Sequence, residues 1–133
     1  MNDVVTAARG FIGVRYGHQG RGEKLDCAGL VIQVAKIARG SSFDFTNYHR
    51  HARDESMLAL CAEHLQKVAT PEPGDVLVFR FGHQRHMGIA GDYHLGGLSL
   101  IHAYLPCRQV VEVRLDETWR SRLMAAYRFP EAF

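Results

Sequence analysis

The hydrophobic periods of the chain predict an α+β fold, with helices first and an antiparallel β-sheet after them. Two observations carry this. Up to about residue 68, apolar residues recur at helical spacing. From Pro71-Glu-Pro-Gly onward they fall into short runs rich in Val, Ile, Phe and Tyr, bounded by turn residues. A length of 133 residues fits one domain, residues 1–133, and burying roughly two-thirds of the unfolded surface gives it one real core.

Asn2 or Asp3 can cap a first helix from about Val4 to Ile12, with Gly13 as its stop. A second helix is expected over Cys27–Arg39. Leu30, Val31, Val34, Ala35 and Ala38 form its apolar stripe, Lys36 and Arg39 suit its negative end, and Gly40 stands at C′. A third is expected from about Glu55 to Val68, on Leu58, Leu60, Cys61 and Leu65. Strands follow at Asp75–Phe81, His86–Asp92, Leu98–Tyr104, Val110–Leu115 and Ala125–Phe129, with Trp119 in a short helical link. There is no repeat, low-complexity tract or linker.

Sixteen basic and fourteen acidic residues give a formal charge of +2, and no Lys/Arg cluster argues for nucleic acid. No apolar run reaches the roughly 18 residues of a membrane helix, so membrane insertion is not expected. Met1-Asn-Asp-Val-Val lacks the basic start of a secretory signal, so synthesis in the cytoplasm without a signal peptide is expected. The three cysteines, Cys27, Cys61 and Cys107, include no CxxC pair; free thiols are expected rather than a disulfide framework.

Leu25-Asp-Cys-Ala-Gly-Leu-Val places Cys27 in the first turn of the second helix. The partial positive charge and free N–H groups there favour a thiolate, the nucleophilic form, and can help hold an oxyanion. Position alone leaves a second reading open, a small apolar residue packed under the helix. Cys61 falls in an apolar helical stripe and reads as core; Cys107 follows Pro106 on a loop. Gly29 permits close approach of substrate or of a neighbouring element.

A cysteine nucleophile needs an imidazole and a group to orient it. If Tyr93-His-Leu-Gly-Gly is a hairpin loop centred on Leu95, Gly88 pairs with His102 and His86 with Tyr104. His86, Gly88 and His102 then share one face, and the two imidazoles are diagonal neighbours with no side chain between them. Zinc ligation by His83 with His86, or by His49 with His51, is the rival reading; neither pair has a matching partner motif, and no metal is expected.

Four blocks, in order, resemble the NlpC family of papain-like cell-wall cysteine peptidases. They are Phe11-Ile-Gly-Val-Arg-Tyr-Gly-His-Gln; Leu25-Asp-Cys-Ala-Gly-Leu-Val; Pro73-Gly-Asp-Val-Leu-Val-Phe-Arg with His86-Met-Gly-Ile-Ala; and Ile101-His-Ala. The closing Ala126-Tyr-Arg-Phe-Pro is similar to the single-domain branch of tailed phages and gene-transfer agents. The resemblance implies a papain-like fold, Cys27 as nucleophile, His86 as general base and His102 as its orienting residue. It implies that the Tyr16 hydroxyl lines the oxyanion region. It implies that Asp26 holds the free amine of a short stem peptide, besides capping the helix. Ala28 stands where the family usually has serine, a departure that removes a hydroxyl able to touch substrate. The implied activity is endopeptidase cleavage of the D-γ-glutamyl–diamino acid bond of peptidoglycan stem peptides, without a cofactor. The branch implies tail proteins as partners and a virion-borne enzyme acting in the periplasm. Three other readings are an N-acetylmuramoyl-L-alanine amidase with the same Cys–His chemistry, a tail-assembly module that binds without cutting, and an acyltransferase, for which no apolar channel is evident.

Overall fold

The computed structural model describes residues 2–44 and 56–133, the side chains of Ser56 and Met57 excepted. The first helix, α1 (Asp3–Arg9), starts where Asn2 Oδ1 accepts the N–H groups of Val4 and Val5 at 3.0 and 3.2 Å. It ends short of the expected Ile12. The Gly10 N–H donates back to Thr6 and Ala7, and Gly13 (φ 94°) then donates to Val110 O at 2.9 Å, which turns the chain into the sheet. Two strands of two residues follow, β1 (Arg15–Tyr16) and β2 (Lys24–Leu25).

The second helix, α2 (Cys27–Arg39), has the expected bounds, and Gly40 closes it in the left-handed region at φ 66°. Its stripe of Leu30, Val31, Val34 and Ala35 is buried. The third helix differs: α3 (Ser56–His64) stops early, and Gln66–Val68 forms strand β3. These three residues pair with Arg128, Tyr127 and Ala126, because the open edge of the last strand offers backbone partners that a further helical turn would forgo. Glu55, the expected start, lies outside the described residues.

The remaining elements are β4 (Val76–Phe81), β5 (Gln84–Asp92), β6 (Leu98–Tyr104), a 3₁₀ turn (Leu105–Cys107), β7 (Gln109–Arg114), α4 (Glu117–Arg120) and β8 (Leu123–Arg128). They build an eight-stranded sheet in the order β2-β1-β7-β6-β5-β4-β8-β3. Its pairs are antiparallel except β1–β2, so the sheet is mixed rather than wholly antiparallel as expected. The β5–β6 register runs from Ile89↔Ile101 to Asp92↔Leu98, a hairpin centred on Leu95 as the sequence suggests.

Both faces of the central strands are covered, which explains the unbroken apolar run Val76–Phe79. One face packs Val76, Val78, Met87, Ile89 and Ile101 against α1 and α2. The other gathers Leu77, Phe79, Ala90, Leu100 and Leu115, with Trp119 of α4 across them. Few helices on a curled mixed sheet make this the papain-like α+β arrangement. Arg9 clamps α1 to the sheet by donating to both carboxylate oxygens of Glu112 at 3.0 and 2.9 Å, and Ser99 donates to Glu112 from below at 2.6 Å.

Candidate active site

Asp26 is the N-cap of α2 and only 2% exposed. One carboxylate oxygen accepts the Gly29 N–H at 2.7 Å and the other the Gln19 N–H at 2.8 Å; Arg21 Nη1 lies 3.5 Å away. Gly29 lets a neighbouring element approach: a Cβ there would strike the Gly20 carbonyl. The cap and the loop crossing it fix the helix start, and with it Cys27.

Cys27 is half-buried and lines a cleft of about 240 Å³ together with Tyr16, Phe81, His86, Tyr104 and Leu105. Burial first, then the Asp26 carboxylate, push its thiol up to about 12. Backbone N–H groups of Met87, Ala28 and Cys27 itself pull the other way. The Met87 N–H brings the sulfur against the very strand that carries His86. The helix start was expected to favour the thiolate; burial and the adjacent carboxylate outweigh it.

His86 and His102 meet as the hairpin register requires. His86 Nε2 and His102 Nδ1 are 2.7 Å apart. Gly88 makes this contact sterically possible, since a Cβ at that position would lie 2.9 Å from His102 Cβ and 2.6 Å from Leu100 Cδ1. His102 is fully buried, and its Nε2 has no hydrogen-bond partner among the described residues. Burial pulls His86 down to about 4; burial and then the neighbouring His86 pull His102 down to about 2. The resting pair is neutral.

Sequence reasoning missed the aromatic box around this pair. Phe79 and Phe81 lie 6.3 and 6.1 Å from His86, ring centre to ring centre. Trp119 lies 5.0 Å from His102 at 87°, and Tyr104 stacks on His102 at 4.8 Å. Strand alternation puts Phe79, Phe81 and Tyr104 on the histidine face, a signal that was readable. Trp119 arrives from a separate helix, and nothing local announces it.

Tyr16 reaches the cleft from β1. Ala28 does not line it: the side chain is fully buried among Val31, Ala35 and Met87 on the helix-packed face. Asp26 is buried and is not among the residues that line the cleft. Cys61 is core and Cys107 is exposed. His83 is exposed, while His49 and His51 lie outside the described residues. Among the described residues no three His, Cys, Asp or Glu side chains gather as metal ligands.

The chain is similar to the NlpC/p60 domain of the peptidoglycan hydrolase SagA, at 24% identity and a TM-score of 0.63, covering 96% of this chain and 98% of that one. It is also similar to an N-acetylmuramoyl-L-alanine amidase from Bacteroides uniformis, at 14% identity and a TM-score of 0.59, covering 94% and 95%. These likenesses concern the fold. No curated protein matches. The NlpC/P60 family matches residues 13–128, nearly the whole of the papain-like fold and every element of the cleft. The chain belongs to the NlpC/P60 family.

Proposed function

We propose that the protein is a peptidoglycan hydrolase, a cysteine endopeptidase that cuts stem peptides at the D-γ-glutamyl–diamino acid bond. The observation that carries this is a thiol at a capped helix start, in one cleft with an imidazole whose far nitrogen is held at 2.7 Å by a second imidazole. Because His86 Nε2 faces His102, Nδ1 is the nitrogen free to act as base. The proton of His86 then sits on Nε2 and is donated to His102 Nδ1, which leaves the His102 proton on its buried Nε2.

His86 Nδ1 takes the proton of Cys27 as the sulfur attacks the scissile carbonyl. The backbone N–H groups at the start of α2 and the Tyr16 hydroxyl face the developing oxyanion. His86 returns the proton to the departing amine, leaving a thioester. It then deprotonates a water that releases the acid. In this reading Asp26 acts first as cap; a substrate amine would meet a carboxylate already engaged by two backbone N–H groups.

The finer setting, a tail-associated enzyme made in the cytoplasm and acting on periplasmic wall, is supported by the closing block Ala126-Tyr-Arg-Phe-Pro; peptide mass mapping of purified particles tests it. Mass spectrometry of muropeptides incubated with wild type or Cys27→Ala tests the reaction. The expected products are L-Ala-D-Glu ends and free diamino-acid peptides from wild type alone. Muramic acid released from intact stem peptide would identify an amidase instead, and unchanged muropeptides would leave a non-cutting module.

A further inference from the structure

Beside the cleft lies a larger open groove of about 930 Å³, which shares Tyr16 and Leu105 with it. Its walls carry Arg15, Lys24 and Arg108, with His18 and the exposed thiol of Cys107, and no carboxylate among the described residues. Arg15 and Lys24 are direct partners in the parallel β1–β2 pair. Like charges so placed repel, and a fold usually separates them or sets an acid between them. None of the three cations forms an ion pair among the described residues.

Arg108 completes the set from the other side. It occupies the left-handed region at φ 59°, unusual for a residue with a Cβ. Its backbone is pinned there: its N–H donates to Leu105 O at 2.9 Å, and its carbonyl accepts from the Tyr16 N–H at 2.9 Å. The same hydrogen bond ties the groove to the cleft residue Tyr16.

We propose that Arg15, Lys24 and Arg108 form a subsite for the carboxylates of the peptide that occupies the cleft, which rests on the hydrolase reading above. A γ-linked glutamate leaves its α-carboxylate free next to the proposed scissile bond, and the residues around it carry others. Three cations contiguous with the cleft, without an ion pair among the described residues, match that chemistry. An apolar or cationic peptide would leave the repulsion in place.

Cys107 is a built-in reporter. In Cys27→Ala, modification by a sulfonate-bearing methanethiosulfonate should outrun its trimethylammonium counterpart at least about fivefold, relative to the same ratio for free cysteine. The preference should shrink in salt and vanish in the Arg15→Gln, Lys24→Gln, Arg108→Gln triple variant. Cys27→Ala/Cys107→Ser is the unlabelled control. Binding of L-Ala-γ-D-Glu-diaminopimelate to Cys27→Ala should weaken about two- to fivefold for each cation removed, and likewise when its carboxylates are amidated. In the otherwise wild-type enzyme the single Gln variants should raise KM by the same factor and hold kcat.

A charge ratio near one, or equal binding of acid and amide peptides, overturns the subsite even if wild type cuts the peptide well. Carboxylate-dependent binding without any cleavage keeps the subsite and removes the hydrolase reading. Tighter binding of a poly(glycerol phosphate) than of the peptide overturns the assignment to peptide carboxylates.

Discussion

At the start of α2 the free N–H groups favour a thiolate, while burial and the Asp26 carboxylate oppose it and prevail, so that the thiol stands at about 12 and His86 at about 4. Cys27 and His86 therefore rest as neutral thiol and neutral imidazole, and in the proposed mechanism the proton moves only with substrate in place. The acid limb of kcat/KM should lie near pH 4, with little change from about pH 5 to 9; a limb near 6.5 in the measured profile would mean a solvated ring. Cys27→Ala should abolish hydrolysis and leave the melting temperature within a few degrees of wild type. Alkylation should do the same in a Cys107→Ser background, which removes the exposed thiol. His86→Ala should lose nearly all turnover, and His102→Gln should retain more than His102→Ala, since it can still accept from His86; equal, complete loss in both would assign His102 more than orientation. The meeting of His86 and His102 was legible because strand alternation and one hairpin centre decide which side chains meet. Ala28 was not, because one residue's step around a helix separates cleft from core, and sequence does not show where the sheet stands. Ala28→Ser should consequently bury a hydroxyl and cost about 1–3 kcal/mol in denaturant unfolding, with little change in kcat/KM.

The β5–β6 hairpin and α4 together make the catalytic geometry of the proposed enzyme. Gly88→Ala tests the hairpin's part: the added methyl would force His102 or Leu100 aside, and turnover should fall at least about tenfold even where thermal unfolding stays cooperative. The control Gly82→Ala, in the tight β4–β5 turn at φ 58°, should lower stability through its backbone and spare the histidine geometry. Trp119→Leu tests α4: loss of the ring beside His102 should lower kcat more than it raises KM, and Trp119→Phe should recover part of it. The long elements were readable because each carries several turns or pleats of a period. The strands β1, β2 and β3 were not, since two or three residues span no period and their pairing depends on an edge supplied by distant sequence. The third helix was overextended for the same reason: Leu65 and Val68 fit a helical stripe as well as they fit the end of one helix and a strand.

Over the whole molecule, acid should act through the buried pair before it reaches most carboxylates. An unfolded histidine takes up its proton near pH 6.5, whereas the folded values are about 4 for His86 and about 2 for His102. The unfolded chain therefore binds more protons below about pH 6.5, and stability falls as the pH drops from there towards the folded values, by at most about 3 kcal/mol per pH unit when both rings contribute. Urea midpoints at pH 6.5 and 5 should show this, and His102→Gln should halve the slope. Glu112 adds a later loss of the same sign: the Arg9 hydrogen bonds hold it below the usual carboxylate range, so its contribution disappears as the pH falls through that lowered value. Fold class and family were legible at this scale, since the ordered blocks span nearly the entire chain. The basic groove was not, because Arg108 is far from Arg15 and Lys24 in sequence, and the two-residue strands that pair Arg15 with Lys24 span no period. At the other end of α2, Arg39 donates to Asp3 at 2.9 Å and to the Pro130 carbonyl at 3.1 Å. One guanidinium thus gathers the first helix and the last residues at a single pole, about 18 Å along the helix axis from Cys27. A tag joined near Asp3 or near Pro130 therefore leaves from that pole, a helix length away from the Cys27 thiol.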